Sequence, residues 1–507
     1  MRLLRTSSNH TMTSLPTLRS LAAIAALAAA IAAQSPLTLG NLVTVRVGDG
    51  TTTLSNTTQA VFLDEYTPAG VLVQSIALPT APNGNNRQFT FRGGATSEGY
   101  LNVSSNGLYL LLTGYDVPPG AAVALTEQAP ASTTNRVVAR IDLAAQIDTT
   151  TALIDAYNGG PTVAGNVRAA VSDDGSRFWL SGTGASGSAG VRYVAAVGDT
   201  TSIGVQSGAP TNTRVAGIYD GQLYTSSAST VYLGINKVGD GLPTVPGQAA
   251  VTLLQGFPTS GGTAASSAYD FFFANPDTLY VADDNAVNST IGGINKWTRD
   301  PVTGTWTRQY RLQLGGAGAQ TAARSISGFV QNGVTTLYAV CNTNGLATTT
   351  LVSVVDAGPA SAVTALATSP ANTAFRGLRL LTKPSTATRF PAACGTAGIK
   401  LNGNAEVGTD VRTTVTNPVG FPFIGYGLTQ IGLPVIPGCA CTLGHDFMLL
   451  FSTPLPPAAA SHTLSIPNVP GVVGLPILVQ GMDLFAPGGC SQPLDFTLTD
   501  YFRFVIQ

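Results

Sequence analysis

The chain is poor in charge. Only 10% of its 507 residues are Asp, Glu, Lys or Arg, against about 25% in an ordinary soluble domain. The net charge is −1 and no basic block occurs, so the electrostatic footprint needed for nucleic acid or an anionic membrane is missing. Histidine is scarcer still, limited to His10, His445 and His462. Between residues 34 and 393 there is no histidine, and the sole cysteine is Cys341. That stretch cannot assemble a Ser-His-Asp triad, a Cys-His dyad or a His-ligated zinc site. Chemistry there has to rest on carboxylates, Tyr, Arg, the lysines Lys237, Lys296 and Lys383, or an oxygen-bound metal.

Long apolar runs are absent, with one exception. Residues 21–33 follow Arg2, Arg5 and Arg19 and end in small residues before Gln34. The run is shorter than the ~20 residues of a membrane span and has the n-region, h-region and A-x-A-like end of a secretory signal. Residues 1–33 are therefore expected to be a signal peptide, beginning at Met1 or, with a tighter n-region, at Met12. The expected location is secreted, extracellular or at the cell surface, and not integral to a membrane.

What the chain does have is 57 glycines, 31 prolines and many short alternating runs of Ala, Val and Leu, the composition of strands separated by tight turns. One unit recurs. RAAVSDDGSRFWLSGTG (168–184) is strand, turn, strand, and degraded copies lie around Tyr100, Val215, Phe271 and Phe329. Each places an aromatic early in its second strand: Tyr109, Trp179, Tyr224, Tyr280 and Tyr338. The spacing of about 45–70 residues, with four strands per unit and looped-out insertions at 117–134 and 243–247, predicts propeller blades. A sixth unit is split: 375–381 reads as an inner strand without continuation, and 41–47, 59–66 and 71–78 as three strands without an inner partner. Joining them closes a ring and removes exposed sheet edges. The expectation is all-β: a six-bladed propeller over 37–385, seven blades being the alternative, closed by both chain ends.

The polar, proline-bearing link 382–390 marks a boundary. Residues 392–507 carry runs at 411–415, 447–451, 462–466, 477–481 and 502–506, spaced as in a small antiparallel β-sandwich. Cys394, Cys439, Cys441 and Cys490 all lie here.

The segments FLDEYTPAG (62–70), ATSEGYL (95–101), LTGYD (112–116), NRVVARID (135–142), TLYVADD (278–284) and AFRGLRL (374–380) resemble a widespread family of secreted bacterial propellers with no assigned activity. The resemblance covers nearly the whole ring, implies export and the propeller fold, and carries over no catalytic residue. The Cys394-Gly395 start, IGLPVIPGCACTLG (431–444), SIPNVPGVVGLPILVQ (465–480) and LTDYFRFVIQ (498–507) resemble a module that closes many large secreted bacterial proteins, an accessory or sorting domain without enzymatic role. Cys441 begins the Cys-x-Leu that matches the module's usual cysteine, which implies a Cys394–Cys441 disulfide and leaves Cys439 for the extra Cys490. Cys439 and Cys441 are two apart, at the edge of what a bridge spans on one strand, and export favours oxidation.

Several groups invite a functional reading. Asp173-Asp174-Gly175 and Asp283-Asp284-Asn285 offer oxygen ligands for calcium, the one cofactor the sequence suggests. Neither has the spaced ligands and distal Glu of a calcium loop, and they read more simply as a hairpin turn and a strand cap. Asp64 and Glu65 are adjacent on a strand, so they face opposite sides and cannot act as a pair. The blade aromatics suit packing between blades better than a sugar-stacking ladder. His445 and His462 with Asp446 read as surface residues rather than metal ligands, and Cys341 as a buried small hydrophobe.

The candidate site is the channel mouth. Glu98, Arg168, Arg214, Asp270, Arg324 and Arg376 each fall at or near the start of a blade's first strand, the strand that lines the channel. Two readings stand: an internal network locking the blades, or an anion site, since four arginines outnumber two acids. No catalytic residue is assigned. The function expected is a secreted or surface-attached, non-enzymatic binding protein using the channel face, its partner an extracellular small molecule, glycan or protein. The alternatives are a propeller lyase or hydrolase using carboxylate, Tyr and Arg groups, and a structural envelope protein.

Overall fold

Strands account for nearly all the regular structure, and their order is that of a closed ring. The structure is a computed structural model; it describes residues 34–506 except 261–265, 286–290, 316–321, 332, 343–348, 383–386, 391, 404, 435–440, 447–448, 458–459, 488 and 490–494. The proposed signal peptide, the lysine Lys383 and the cysteines Cys439 and Cys490 therefore lie outside the described residues. Ser35–Gln507 is one compact unit. Among the described residues no helix is long and apolar enough to cross a membrane.

Six antiparallel blades make the ring. Blade 1 is Asn102–Val103, Tyr109–Tyr115, Arg136–Asp142 and Ile147–Leu153; blade 2 is Asn166–Val171, Phe178–Thr183, Arg192–Val194 and Ile203–Gly204. Blade 3 is Thr213–Tyr219, Gln222–Ser227, Gly234–Val238 and Ala249–Leu253, and blade 4 is Ala268–Asn275, Thr278–Asp283, Gly293–Arg299 and Trp306–Leu312. Blade 5 is Ala322–Gln331, Val334–Asn342, Thr350–Val355 and Val363–Thr368. Blade 6 takes its inner strand Ala374–Leu380 from one side of the ring sequence and Leu42–Val47, Thr58–Tyr66 and Leu72–Ala77 from the other. The closing register runs from Leu42 opposite Leu380 to Val47 opposite Ala374. The count is six. One feature the sequence pattern did not show is Thr90–Arg92, which pairs with both Thr58–Tyr66 and Tyr109–Tyr115 and fuses blades 6 and 1 into a nine-stranded sheet.

Inner strands are covered by neighbouring blades on both faces, so they read as continuous apolar or small-residue runs, as in the wholly buried Asn166–Val171. Outer strands alternate, as in Ala249–Leu253. Separate apolar clusters fill the gaps between consecutive blades: Val167, Phe178 and Leu180 with Leu111 and Val138; Trp179 with Ala216 and Leu223; Tyr280 with Leu337 and Val352. Each fully buried Leu, Val or Phe contributes about 1.5–3 kcal/mol. The blade aromatics face the next blade: the Trp179 indole N–H donates to the Pro243 carbonyl in blade 3 at 2.7 Å, and the Tyr280 hydroxyl donates to Asp356 in blade 5. Gly175, at φ +86°, belongs to the blade 2 hairpin turn and lies so close to the Tyr109 ring of blade 1 that a Cβ would come within 2.1 Å of it. Only glycine fits there.

After the ring, a five-stranded sheet (Thr388–Phe390, Phe496–Val505, Pro476–Leu484, Phe421–Gly427, Leu450–Phe451) faces a three-stranded one (Gly398–Asn402, Asp410–Thr416, Ser461–Ser465). Ile399, Val411 and Val415 from one meet Ile424, Tyr426, Val479 and Phe504 from the other, the core of a sandwich. Gln430–Pro434 and Thr442–His445 add a hairpin. Cys394 is bonded to Cys441 with Cα atoms 5.0 Å apart.

Candidate functional site

Glu98, Arg168, Arg214, Asp270, Arg324 and Arg376 are drawn together at the start of the inner strands. Arg168, Asp270, Arg324 and Arg376 are each the third residue of their strand; Arg214 is the second, and Glu98 precedes Asn102–Val103 in the loop. Tyr100 and Tyr269 pack against each other with centroids 5.6 Å apart, together with Ala169 and Val215. The Arg214 guanidinium sits 3.9 Å over the Tyr269 ring and that of Arg324 5.5 Å.

Their partners differ. Arg324 donates to Asp284 at 3.0 Å, and Arg214 reaches the same carboxylate at 4.0 Å while donating to Ser267 Oγ and the Ala268 carbonyl. Glu98 accepts from the Tyr115 hydroxyl at 2.8 Å, the Asn166 amide at 3.0 Å and the Arg92 N–H at 3.2 Å. Arg168 donates to Asn212 Oδ1 and the Thr213 carbonyl, and Arg376 to the carbonyls of Arg92 and Gly93. Among the described residues neither Arg168 nor Arg376 is in an ion pair, and Arg168 Nε and Arg376 Nη1 are buried without a hydrogen-bond partner. Burial lowers the pKa of both, that of Arg376 to about 10.

Asp270 pairs instead with Arg379, a residue the sequence pattern did not single out. Arg379 Nη1 donates to Asp270 Oδ2 at 2.6 Å and Nη2 to Oδ1 at 3.0 Å. Arg379 also donates to the Ile326 carbonyl at 2.9 Å and to Asn102 Oδ1 at 2.7 Å. The Asn102 amide in turn donates to the carbonyls of Ala170 and Ala216 at 2.7 and 3.1 Å. Residues of all six blades are thereby tied in one hydrogen-bonded clasp across the axis. The space left beside the mouth is a cavity of about 20 Å³, room for about one water.

The large cavity lies elsewhere. About 1100 Å³ opens where the inner strands of blades 4, 5 and 6 end, between that face of the ring and the sandwich. Its ring side carries Phe272, Phe273, Phe329, Tyr338 and Tyr219, the last stacked on Phe273 at 4.5 Å. Its sandwich side carries Glu406, Asp410, Arg412, Ser461 and Thr463. Glu406, Asp410 and Arg412 are in no ion pair among the described residues, and Arg412 Nη1 is buried without a partner. Asp277, also at the cleft, is held by Arg299 at 3.1 Å. Burial raises the Tyr219 hydroxyl's pKa. Sequence reasoning missed this site because its two walls come from separate stretches of the chain, 219–338 and 406–463; Arg412, the one arginine in the run DVRTTVT, was the available signal.

The remaining candidates resolve locally. Asp173 pairs with Arg177, and Asp174 accepts from Ser176 N–H in the hairpin turn. Asp283 accepts from Ser266, Ser267 and Asn285, and burial raises its pKa to about 6. Asp64 binds Arg46 and Ser75, whereas Glu65, on the opposite face, binds Asn41 and Gln74. Cys341 is 1% exposed, with its thiol pushed up to about 12 by burial. The histidines need correcting: His445 is fully buried, its pKa lowered to about 4 by that burial, and His462 is partly buried against the Tyr426 ring. Both sit on strands rather than on surface loops, His445 in the added hairpin and His462 against the sandwich core residue Tyr426. Among the described residues no three His, Cys, Asp or Glu side chains gather to hold a metal ion.

No family model and no curated protein matches the chain. Similar solved structures include a provisionally named 6-phosphogluconolactonase from Bacteroides fragilis, 12% identical over 66% of this chain and 83% of that one, TM-score 0.35. A Lactobacillus plantarum protein is 11% identical over 84% and 100%, TM-score 0.31. A GH32 β-fructofuranosidase from Bombyx mori is 12% identical over 94% and 91%, TM-score 0.31. Likeness of this size carries no argument about activity, and the propeller stands on its own sheet order.

Proposed function

We propose that this chain is an exported, non-enzymatic binding protein that takes a neutral glycan in the cleft between the ring and the sandwich. The observation that carries this is the composition of the cleft's two walls. The partly exposed rings on the ring side, Tyr219, Phe272 and Phe329, suit the apolar face of a sugar. Unpaired groups of both signs, Glu406, Asp410 and Arg412, stand with the hydroxyls of Ser461 and Thr463 on the other. A free anion meets the carboxylates and a free cation meets Arg412, whereas vicinal hydroxyls both donate and accept and satisfy all of them. The Cys394–Cys441 bond is consistent with export. The cavity of about 20 Å³ at the channel mouth has room for about one water, which favours the cleft as the ligand seat.

The test is an oligosaccharide array probed with the full chain, followed by titration of the best binder against Arg412→Ala and Phe329→Ala. Each variant is expected to weaken binding at least about tenfold, the worth of a charge-assisted hydrogen bond or a buried ring contact, with the unfolding midpoint unchanged in Arg412→Ala and lowered in Phe329→Ala, whose ring also packs between blades 5 and 6. Absence of any bound glycan, or variants that bind as tightly as the parent, refutes the proposal.

A further inference from the structure

The channel mouth is unsuited to a large ligand, but its charges do not balance. Arg92, Arg168, Arg214, Arg324 and Arg376 are linked through shared contacts to Glu98, Glu127, Asp283 and Asp284. With Arg136, which Glu98 also faces, the guanidinium groups outnumber the carboxylates, while the Arg379–Asp270 pair is neutral in itself. Arg168 and Arg376, 7% and 8% exposed, are in no close ion pair among the described residues, Glu98 acting on Arg376 only at longer range. A buried charge without a counter-charge is costly.

The cavity beside them is built for an acceptor. It is lined by Thr96, Glu98, Tyr100, Arg324, Thr349 and Arg376, among others. Two of its lining residues hold a buried, unused donor: Arg376 at Nη1 and Tyr100, a residue 2% exposed, at its hydroxyl. Glu98, the one carboxylate at the cavity, already accepts three hydrogen bonds. A volume of about 20 Å³ admits a single water-sized particle. Carboxylate and sulfate groups, which suit arginine forks on open surfaces, are too large.

We propose that this cavity binds one monatomic monovalent anion of the chloride class, held by Arg376 Nη1 and the Tyr100 hydroxyl, which neutralises the excess charge of the mouth and stabilises the ring. The site is independent of the glycan cleft, which lies against the opposite ends of the inner strands.

The full chain is unfolded thermally in sodium chloride, bromide, sulfate and gluconate at constant ionic strength. The midpoint is expected to rise and saturate at low concentration with chloride and bromide, to show no saturable rise with gluconate, and with sulfate to climb only gradually, as an excluded salt makes it do without a site. Tyr100→Phe, which removes one hydroxyl and no volume of the ring, is expected to need about tenfold more chloride for half the effect. Arg376→Gln is expected to lose the halide response, and if it does not fold, Tyr100→Phe carries the comparison. Crystals soaked in bromide should show an anomalous peak within hydrogen-bond reach of Tyr100 Oη and Arg376 Nη1. Equal midpoints in all four salts, an undiminished response in Tyr100→Phe, or a water with no bromine signal at that position overturns the proposal.

Discussion

Removing Arg379 should loosen the whole ring, because its guanidinium is the hub of the axial clasp. Arg379→Ala deletes two bonds to Asp270, one to Asn102 and one to the Ile326 carbonyl. It also leaves the Asp270 carboxylate, 1% exposed, without its counter-charge. Breaking a buried pair from one side costs about 3–5 kcal/mol. The lower end applies here, since Asp270 keeps the N–H groups of Phe271 and Ile326 and the Ser325 hydroxyl. Adding Asp270→Asn removes the stranded charge and should return at least about 1 kcal/mol, as coupled neighbours do. Urea unfolding followed by tryptophan fluorescence isolates the effect. Trp179, Trp297 and Trp306 are the chain's only tryptophans, all lie in the ring, and none is more than 7% exposed. A loss below about 1 kcal/mol in Arg379→Ala, or a double variant no more stable than that single one, would show that the clasp does not hold the blades together.

Two further predictions concern titration and covalent closure. Burial raises Asp283 from 3.8 to about 6, so between those values the folded ring holds a proton that the unfolded chain has released. Stability from this group is complete below about pH 4 and is lost as the pH rises to about 6, a change on the order of 3 kcal/mol. Asp283→Asn should remove that fall, and pH–stability curves that run parallel for parent and variant would refute it. In the sandwich, the Cys394–Cys441 bond spans 47 residues, for which loop-closure entropy gives about 4 kcal/mol. Replacing both cysteines by alanine should lower the sandwich's calorimetric transition and leave the tryptophan signal of the ring in place. A non-reducing peptide map should join Cys394 to Cys441 and Cys439 to Cys490, and a Cys439–Cys441 bridge would refute the pairing.

Most of the architecture was legible before any coordinate. Alternation, turn residues and one aromatic per unit are local signals, and a propeller repeats one local unit, so blade limits came within a few residues. Ring closure was legible too, because 375–381 lacked a continuation and 41–78 lacked an inner strand; the unpaired backbone of each required the other. The convergence of Arg168, Arg214, Asp270, Arg324 and Arg376 followed from their places at or near the start of each blade's first strand. What that placement could not show is who partners whom. Asp270 chooses Arg379, three residues beyond Arg376 on the same strand, because inner strands lie side by side around an axis and side chains meet across it rather than along it. Arg324 finds Asp284, at the far end of the preceding blade's second strand. The cleft was invisible for the same reason: Phe329 and Arg412 belong to different sheets, and only the seating of the sandwich against the ring brings them to one cavity. Periodicity along the chain determined the blades, the closure and the layer in which each charge lies. Packing across the axis and between the two halves decided which charges neutralise one another and where space remains for a ligand, because those contacts depend on distances between strands that no local pattern encodes.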